Sequence, residues 1–198
     1  MVNLGLDFGL RPKKKNNFEN MRELVTDGIV IYTESKNEKD LEATIYTKTL
    51  GLIKTRVVSG QKITSKFAGH LDSLNLVQIR LVQKNKVTLT DILTRERFFS
   101  LRANPKTLQR FLEFLFLLRS VAPIEVPDVR IWNFLIKSLQ AQNPDANNLL
   151  RLFGYDSLLA SCSGCGFKKT SVFFTEDHVF FCDVCSSKIS KDRIIYLY

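Results

Sequence analysis

Leu76-Val77-Gln78-Ile79-Arg80-Leu81-Val82 carries the alternation that decides the fold. Val77, Ile79 and Leu81 fall on one side of an extended chain, and Gln78, Arg80 and Lys84 fall on the other. That is the period of a half-buried strand. Outward from it, residues 25–33, 41–47, 52–59 and 87–93 share the character: β-branched residues between polar connections. In the third of the five segments Lys54 and Arg56 project together. Five short strands in about 75 residues suit a small closed or partly open barrel, and the OB-fold is the common five-stranded one that handles polynucleotides.

Past Arg97 the period lengthens. Asn104-Pro105 is a capping residue followed by proline at the first helical position. Residues 105–119 then carry Leu108, Phe111, Leu112, Leu115 and Leu118 on one face, while Phe114, Phe116 and Leu117 fill others. This helix is expected to be buried nearly all round, with Phe111 and Leu115 in the core. Pro127-Asp128 opens a second helix bearing Val129, Trp132, Leu135, Ile136 and Leu139, and Asn143-Pro144 opens a third that ends at Gly154. The expected fold class is therefore α+β and multidomain: an N-terminal five-stranded OB-like β-barrel, then a small helical domain carrying a zinc ribbon. The expected boundaries are an N-terminal extension at 1–20, the barrel at 21–97, and a helical domain at 98–198 that includes the zinc-binding segment 162–185. In residues 1–20, Leu4, Leu6, Phe8 and Leu10 alternate, but Gly5 and Gly9 weaken a strand and a lysine run follows. The stretch reads as a solvated tail, with a docking segment as the alternative and Met21 as an alternative start.

Cys162, Cys165, Cys182 and Cys185 form two Cys-x2-Cys pairs separated by sixteen residues. Two residues between cysteines let both thiolates of a turn face one tetrahedral centre, and Gly164 and Gly166 supply the backbone freedom of such a knuckle. Residues 167–174 and 178–181 can form the strands of a ribbon. One structural Zn2+ is expected, since four thiolates leave no open position for water or substrate. His178 reads as a surface residue of that ribbon. Disulfides would need an oxidising compartment, and a redox pair would need a βαβ setting; neither is indicated.

The chain has 29 Lys and Arg against 20 Asp and Glu, a net charge of +9. That balance favours a polyanionic partner, nucleic acid or an anionic surface. No secretory signal order is visible at the N-terminus, and the most apolar stretch, 111–118, contains Glu113 and is too short to span a bilayer. A cytoplasmic, nucleoid-associated protein with no membrane partner is expected. Between Glu42 and Asp72 there is no carboxylate, and Lys48, Lys54, Arg56, Lys62, Lys66 and His70 fall there, followed by Arg80, Lys84 and Lys86. Lys54, Arg56, Lys62, Lys66, Arg80, Lys84 and Lys86 are the candidate DNA contacts, with Tyr46 and Phe67 as candidate stacking partners for bases. The bland alternative is that the lysines only solubilise the barrel. Glu34, Glu38, Asp40 and Glu42 cluster as a nuclease would need, but Lys36 and Lys39 among them suggest an exposed hairpin. No catalytic triad or phosphate-cradling glycine loop is visible, so a binding protein, not an enzyme, is expected.

From Met21 the chain resembles the RecO family of bacterial recombination mediators. The likeness runs through Arg22-Glu23-Leu24-Val25-Thr26-Asp27-Gly28-Ile29-Val30, residues 47–51, Ser59-Gly60, Ser65-Lys66-Phe67-Ala68-Gly69-His70-Leu71 and Asn75-Leu76-Val77. A second block, Leu149-Leu150-Arg151-Leu152-Phe153-Gly154-Tyr155, leads into Cys162-Ser163-Gly164-Cys165-Gly166. The resemblance implies binding of single- and double-stranded DNA, annealing of complementary strands, and association with RecR. It also implies binding of the acidic C-terminal tail of the single-stranded DNA-binding protein and help in loading the RecA filament. Arg110, Arg119 and Arg130 are the cations available to such a tail. The chain departs from the family in its short helical part and in the 13 residues after Cys185, where relatives carry further helices. The other readings of the same features are an OB-fold plus zinc-ribbon protein acting on RNA, and an adaptor that binds acidic proteins and no nucleic acid.

Overall fold

The computed structural model describes residues 22–62, 64–83 and 87–197. Strands β1 (Arg22–Ser35), β2 (Leu41–Thr47), β3 (Gly51–Val57), β4 (Leu76–Gln83) and β5 (Val87–Glu96) pair in the cyclic order β1-β2-β3-β5-β4 and close a barrel. All neighbours are antiparallel except β3 and β5, which meet in parallel at Arg56 and Thr88. β1 serves both β2 and β4 because it bends. Its register with β2 shifts between Val30 and Tyr32, leaving Ile31 as the extra residue of a bulge. Close by, a Cβ on Gly28 would lie 2.6 Å from Ile45 Cγ2, so the bent strand packs onto β2 only with glycine there.

Inward-pointing residues of alternate positions, Val30, Ile45, Ile53, Val77, Ile79, Leu81 and Leu89, fill the barrel. The long connection 58–75 supplies Phe67 and Leu71 to the same cluster, both nearly inaccessible. The buried amide of Asn75 holds that connection together. It donates to the carbonyls of Gly69 and His70 at 3.2 and 3.0 Å and accepts from Arg102 Nη2 at 3.0 Å. Arg102 also donates to the carbonyls of Ser73 and Arg97, each at 2.7 Å. The residues 65–71 and 75–77 singled out in the sequence are therefore a barrel plug and its clasp.

Four helices follow: α1 (Phe99–Arg102), α2 (Pro105–Val121), α3 (Val129–Ala141) and α4 (Ala146–Leu152). Asn104, Asp128 and Asp145 cap the last three, each side chain accepting from backbone N–H groups of the first turn. The third helix thus starts later than Asn143-Pro144, because Asp145 is its cap. α2 is less enclosed than its sequence suggested. Phe111, Phe114, Leu115, Leu117 and Leu118 are buried, but Leu112 is exposed, so an outer face remains open beside Gln109, Arg110 and Glu113.

A second apolar core gathers α2, α3 and α4 with Ile29, Tyr46 and Leu52 from the outer wall of the barrel. Each large side chain buried this way stabilises the fold by roughly 1.5–3 kcal/mol. The link between α2 and α3 is pressed onto β3: Leu52 forms a parallel bridge with Ile124, and Glu125 N donates to the Leu52 carbonyl at 2.8 Å. Gly51, at φ +69°, makes this approach possible, since a Cβ there would lie 2.2 Å from the Val126 carbonyl oxygen.

The C-terminal part is a three-stranded sheet in the order β7-β6-β8, from β6 (Val172–Phe174), β7 (Val179–Phe181) and β8 (Ile194–Tyr196). Ile194–Tyr196, beyond the ribbon strands expected at 167–174 and 178–181, forms its third strand. Phe173, Phe180 and Ile195 reach from this sheet into the core shared with the helices. Among the described residues no helix is long and apolar enough to cross a membrane.

Candidate nucleic-acid interface and metal centre

The second cysteine pair follows β7 directly, and the turn that carries the first pair lies against the same strand. The first turn is closed by Gly166 N donating to the Cys162 carbonyl and Cys162 N donating to the Phe167 carbonyl, both at 2.8 Å. Gly166 takes φ +74° there, a left-handed conformation that glycine adopts without strain. Ser163 N donates to the Phe180 carbonyl at 2.9 Å, which registers this turn on β7. The second pair opens the short helix α5 (Asp183–Ser186), with Ser186 N on the Cys182 carbonyl at 3.0 Å.

These turns bring all four sulfurs within 4.8 Å of one another, with Cys165 and Cys182 at 3.8 Å, and all four cysteines are free. A Cβ on Gly164 would lie 3.0 Å from Cys185 Sγ, a contact tight enough to crowd the group. Burial pushes the Cys162 thiol up, but the backbone N–H groups of Cys182, Gly164 and Cys165 outweigh this and hold it down to about 6. Hydrogen bonds with the sulfurs of Cys165, Cys162 and Cys182 push Cys185 up to about 12. Thiolates crowded this closely repel one another, and a bound cation would relieve that repulsion. The four sulfurs can hold a metal ion.

His178 is not on the open surface of the ribbon, as its sequence position suggested. It sits half-buried in the β6–β7 turn at φ +55°. Its Nδ1 is 2.9 Å from the Tyr155 hydroxyl and its Nε2 is 3.1 Å from the Ser120 carbonyl. Its ring stacks near Phe173. Both nitrogens tie the ribbon to α2 and to the segment after α4, a role that only tertiary contact reveals.

The candidate DNA contacts fare unequally. Lys54 is exposed on the outer face of β3 and Lys62 is exposed in the 58–75 connection. Neither has an ion pair among the described residues. Arg56 shares the β3 face, but its Nε and Nη2 donate to Asp40 at 3.0 and 2.5 Å. Asp40 is buried and also accepts from Ser59 N at 2.9 Å. That backbone N–H and the Arg56 guanidinium hold its carboxyl below the usual range. Lys66 pairs with Asp91 at 3.5 Å and lies over the Phe67 ring, and Arg80 pairs with Glu23 at 2.6 Å. Lys84 and Lys86 lie outside the described residues.

The window without carboxylates is thus real along the chain but not in space. Asp40, Glu23 and Asp91 come from elsewhere in the chain and supply the missing charge. Tyr46 and Phe67 are corrected as stacking candidates. Both are buried, Tyr46 between the barrel and the helices and Phe67 in the plug, and burial pushes the Tyr46 phenol up to about 12. Arg110, Arg119 and Arg130 do not share one groove. Arg110 lines a cleft with Glu113, Phe114 and residues 143–147, and Arg119 lies over Tyr32 beside Lys54. Arg130 is paired with Asp128 at 2.7 Å.

Residues 21–96 match the family model described as the N-terminal domain of recombination protein O. Its bounds follow the barrel. The DNA repair protein RecO of Thermodesulfovibrio yellowstonii is 26% identical over 176 residues, an alignment covering 82% of this chain and 70% of that protein. An alignment of that length extends past the barrel into the helices.

Proposed function

The chain belongs to the RecO family, and from that premise we propose that it is a DNA-binding mediator of recombinational repair. The observation that carries the reading is the coincidence of the matched residues 21–96 with a five-stranded barrel whose β3 face presents Lys54 without a neutralising partner. The strand order and the long bent β1 support reading the barrel as OB-type, a fold that holds single strands on strands 2 and 3 and in the loop between strands 4 and 5. Lys84 and Lys86 belong to that loop by sequence. Lys54 and Lys62 are the leading phosphate contacts. Arg56, Lys66 and Arg80 are secondary, since each must divide its charge between phosphate and a carboxylate already at hand.

On this reading the protein binds single- and double-stranded DNA through phosphates, leaves base edges free, and lowers the repulsion between complementary strands so that they pair. RecR, the tail of the single-stranded DNA-binding protein and the RecA filament are the proposed protein partners, supported by the family likeness. Cys162, Cys165, Cys182 and Cys185 would hold one zinc ion, which supplies a fixed cross-link for the ribbon and no chemistry on substrate.

The test is DNA binding measured across salt concentrations. The charge reversal Lys54→Glu with Lys62→Glu is expected to weaken binding of single-stranded DNA and to flatten its salt dependence, by about one released counterion for every phosphate that is no longer neutralised. Annealing of complementary oligonucleotides should slow in parallel. Affinity indifferent to both salt and these reversals would move the assignment to a protein adaptor, and preference for RNA of equal length would move it to RNA.

A further inference from the structure

The outer face of β1, β2 and β3 is covered only in part by the helices. One cross-strand row, Ile29–Tyr46–Leu52, lies under them and is fully buried. Further along the same face, Tyr32, Thr44 and Lys54 stand opposite one another across the three strands. Thr44 and Lys54 of this row floor a groove whose far wall is the C-terminal end of α2 and the segment after it, with Arg119 and Ile124, and Tyr32 stands beside it as the next residue of the row. Tyr32 is 42% exposed, and the Arg119 guanidinium lies over its ring at 4.4 Å and over Phe116 at 5.7 Å. Neither Arg119 nor Lys54 has an ion pair among the described residues. Glu34 lines the same groove.

A guanidinium lying over an aromatic ring, with a second cation at the end of the row, forms a platform of a particular kind. A guanidinium held against aromatic side chains has lost much of its freedom to chase phosphates but keeps its charge and its planarity. Nucleobases stack on aromatic rings and on guanidinium planes, and the strength of such stacking is nearly independent of base identity. Lys54 supplies a point charge for the adjoining phosphate. The Glu34 carboxylate repels a phosphate, so the sugar-phosphate chain passes on the Lys54 side and the base turns toward Tyr32.

We propose that the groove lined by Arg119 and Lys54, together with the Tyr32 ring beside it, is a stacking subsite for one unpaired nucleobase of a single strand. This rests on the DNA-binding reading above and adds to it the site that distinguishes an unpaired strand from a duplex, whose bases are already stacked.

The experiment compares binding of oligodeoxythymidine with that of an abasic oligonucleotide of equal length, which keeps every phosphate and offers no base. Wild type should prefer the oligothymidine. Tyr32→Leu should weaken oligothymidine binding roughly tenfold and leave the abasic strand unaffected. Tyr32→Phe should bind like wild type. Arg119→Lys, which keeps the charge and loses the plane, should reduce the base-dependent part and not the salt dependence. If Tyr32→Leu weakens both strands alike, or changes neither while Lys54→Glu weakens both, the stacking subsite is wrong and phosphate binding stands. If wild type binds neither strand, the DNA-binding reading falls as well. Oligoglutamate that displaces the oligothymidine as well as unlabelled oligothymidine does would make the groove a general site for acidic chains and overturn the proposal.

Discussion

Asp128 shows how much one carboxylate can hold. It caps α3 by accepting from Arg130 N at 2.8 Å, and its carboxylate is also gripped by the Arg130 side chain at 2.7 Å. Above all the Arg130 side chain, and then the backbone N–H groups, lower its pKa to about 2, against burial working the other way. A depressed carboxyl stabilises the fold wherever the unfolded group would also be ionised. The contribution is complete above about pH 4, the ordinary value for aspartate, and is lost as pH falls through about 2. Asp128→Ala is expected to cost about 1 kcal/mol at neutral pH, measured by urea unfolding. That difference from wild type should shrink as the pH is lowered and vanish in strong acid; a cost that persists at low pH would mean the cap works without its charge. The residue scale is also where the sequence was least legible. Arg56 and Arg80 looked unopposed because their partners, Asp40 and Glu23, lie 16 and 57 positions away along the chain. Tyr46 and Phe67 looked like stacking rings because an aromatic side chain in a basic stretch does not say which side of a strand or loop it will face.

The elements were far more legible where the signal is local. Alternation in residues 76–82 and the caps at Asn104 and Asp128 lie within a few residues of what they specify, and they placed β4, α2 and α3 closely. β8 escaped because Ile194–Tyr196 becomes a strand only by pairing with β6, a contact made after the rest of the sheet exists. The cysteine ribbon is the most legible part, since its spacing encodes both turns, and the structure brings the four sulfurs together as that spacing requires. Whether the ion is zinc is a matter for metal analysis, and one zinc per chain is the expected result. Cys165→Ser should abolish stoichiometric binding and loosen the ribbon, because energies on the order of 10 kcal/mol couple such sites to folding. Gly164→Ala is the sharper variant. It keeps every ligand yet crowds Cys185 Sγ at 3.0 Å, so zinc should be held more weakly while the thiol count stays the same. Full-strength binding by that variant would show that the knuckle has slack the geometry does not suggest.

At the scale of the whole molecule the apolar core ignores the boundary at Arg97 that the change of period drew. Ile29, Tyr46 and Leu52 belong to the barrel by sequence, yet they pack in one cluster with Phe111 and Trp132 of the helices and Phe173 of the ribbon. Backbone hydrogen bonding repeats the connection, through Glu125 N on the Leu52 carbonyl, and His178 repeats it again between ribbon and α2. A barrel cut free at that boundary would expose its buried outer row, so the parts should unfold together. The sole tryptophan makes this measurable: Trp132 is on α3, buried in the shared cluster, and reports from its helical side. Leu52→Ala removes a buried barrel side chain and should cost about 2–5 kcal/mol. In one cooperative unit the Trp132 fluorescence transition in urea moves by that full amount and coincides with the far-ultraviolet circular dichroism transition. Ile53→Ala separates this from a purely local effect. Ile53 is the next residue on β3 but points into the barrel and belongs to the barrel cluster, not the helical one, so Trp132 senses its loss only if barrel and helices fold as one. A Trp132 transition shifted by Leu52→Ala and untouched by Ile53→Ala would restore two independent units meeting at a shared face.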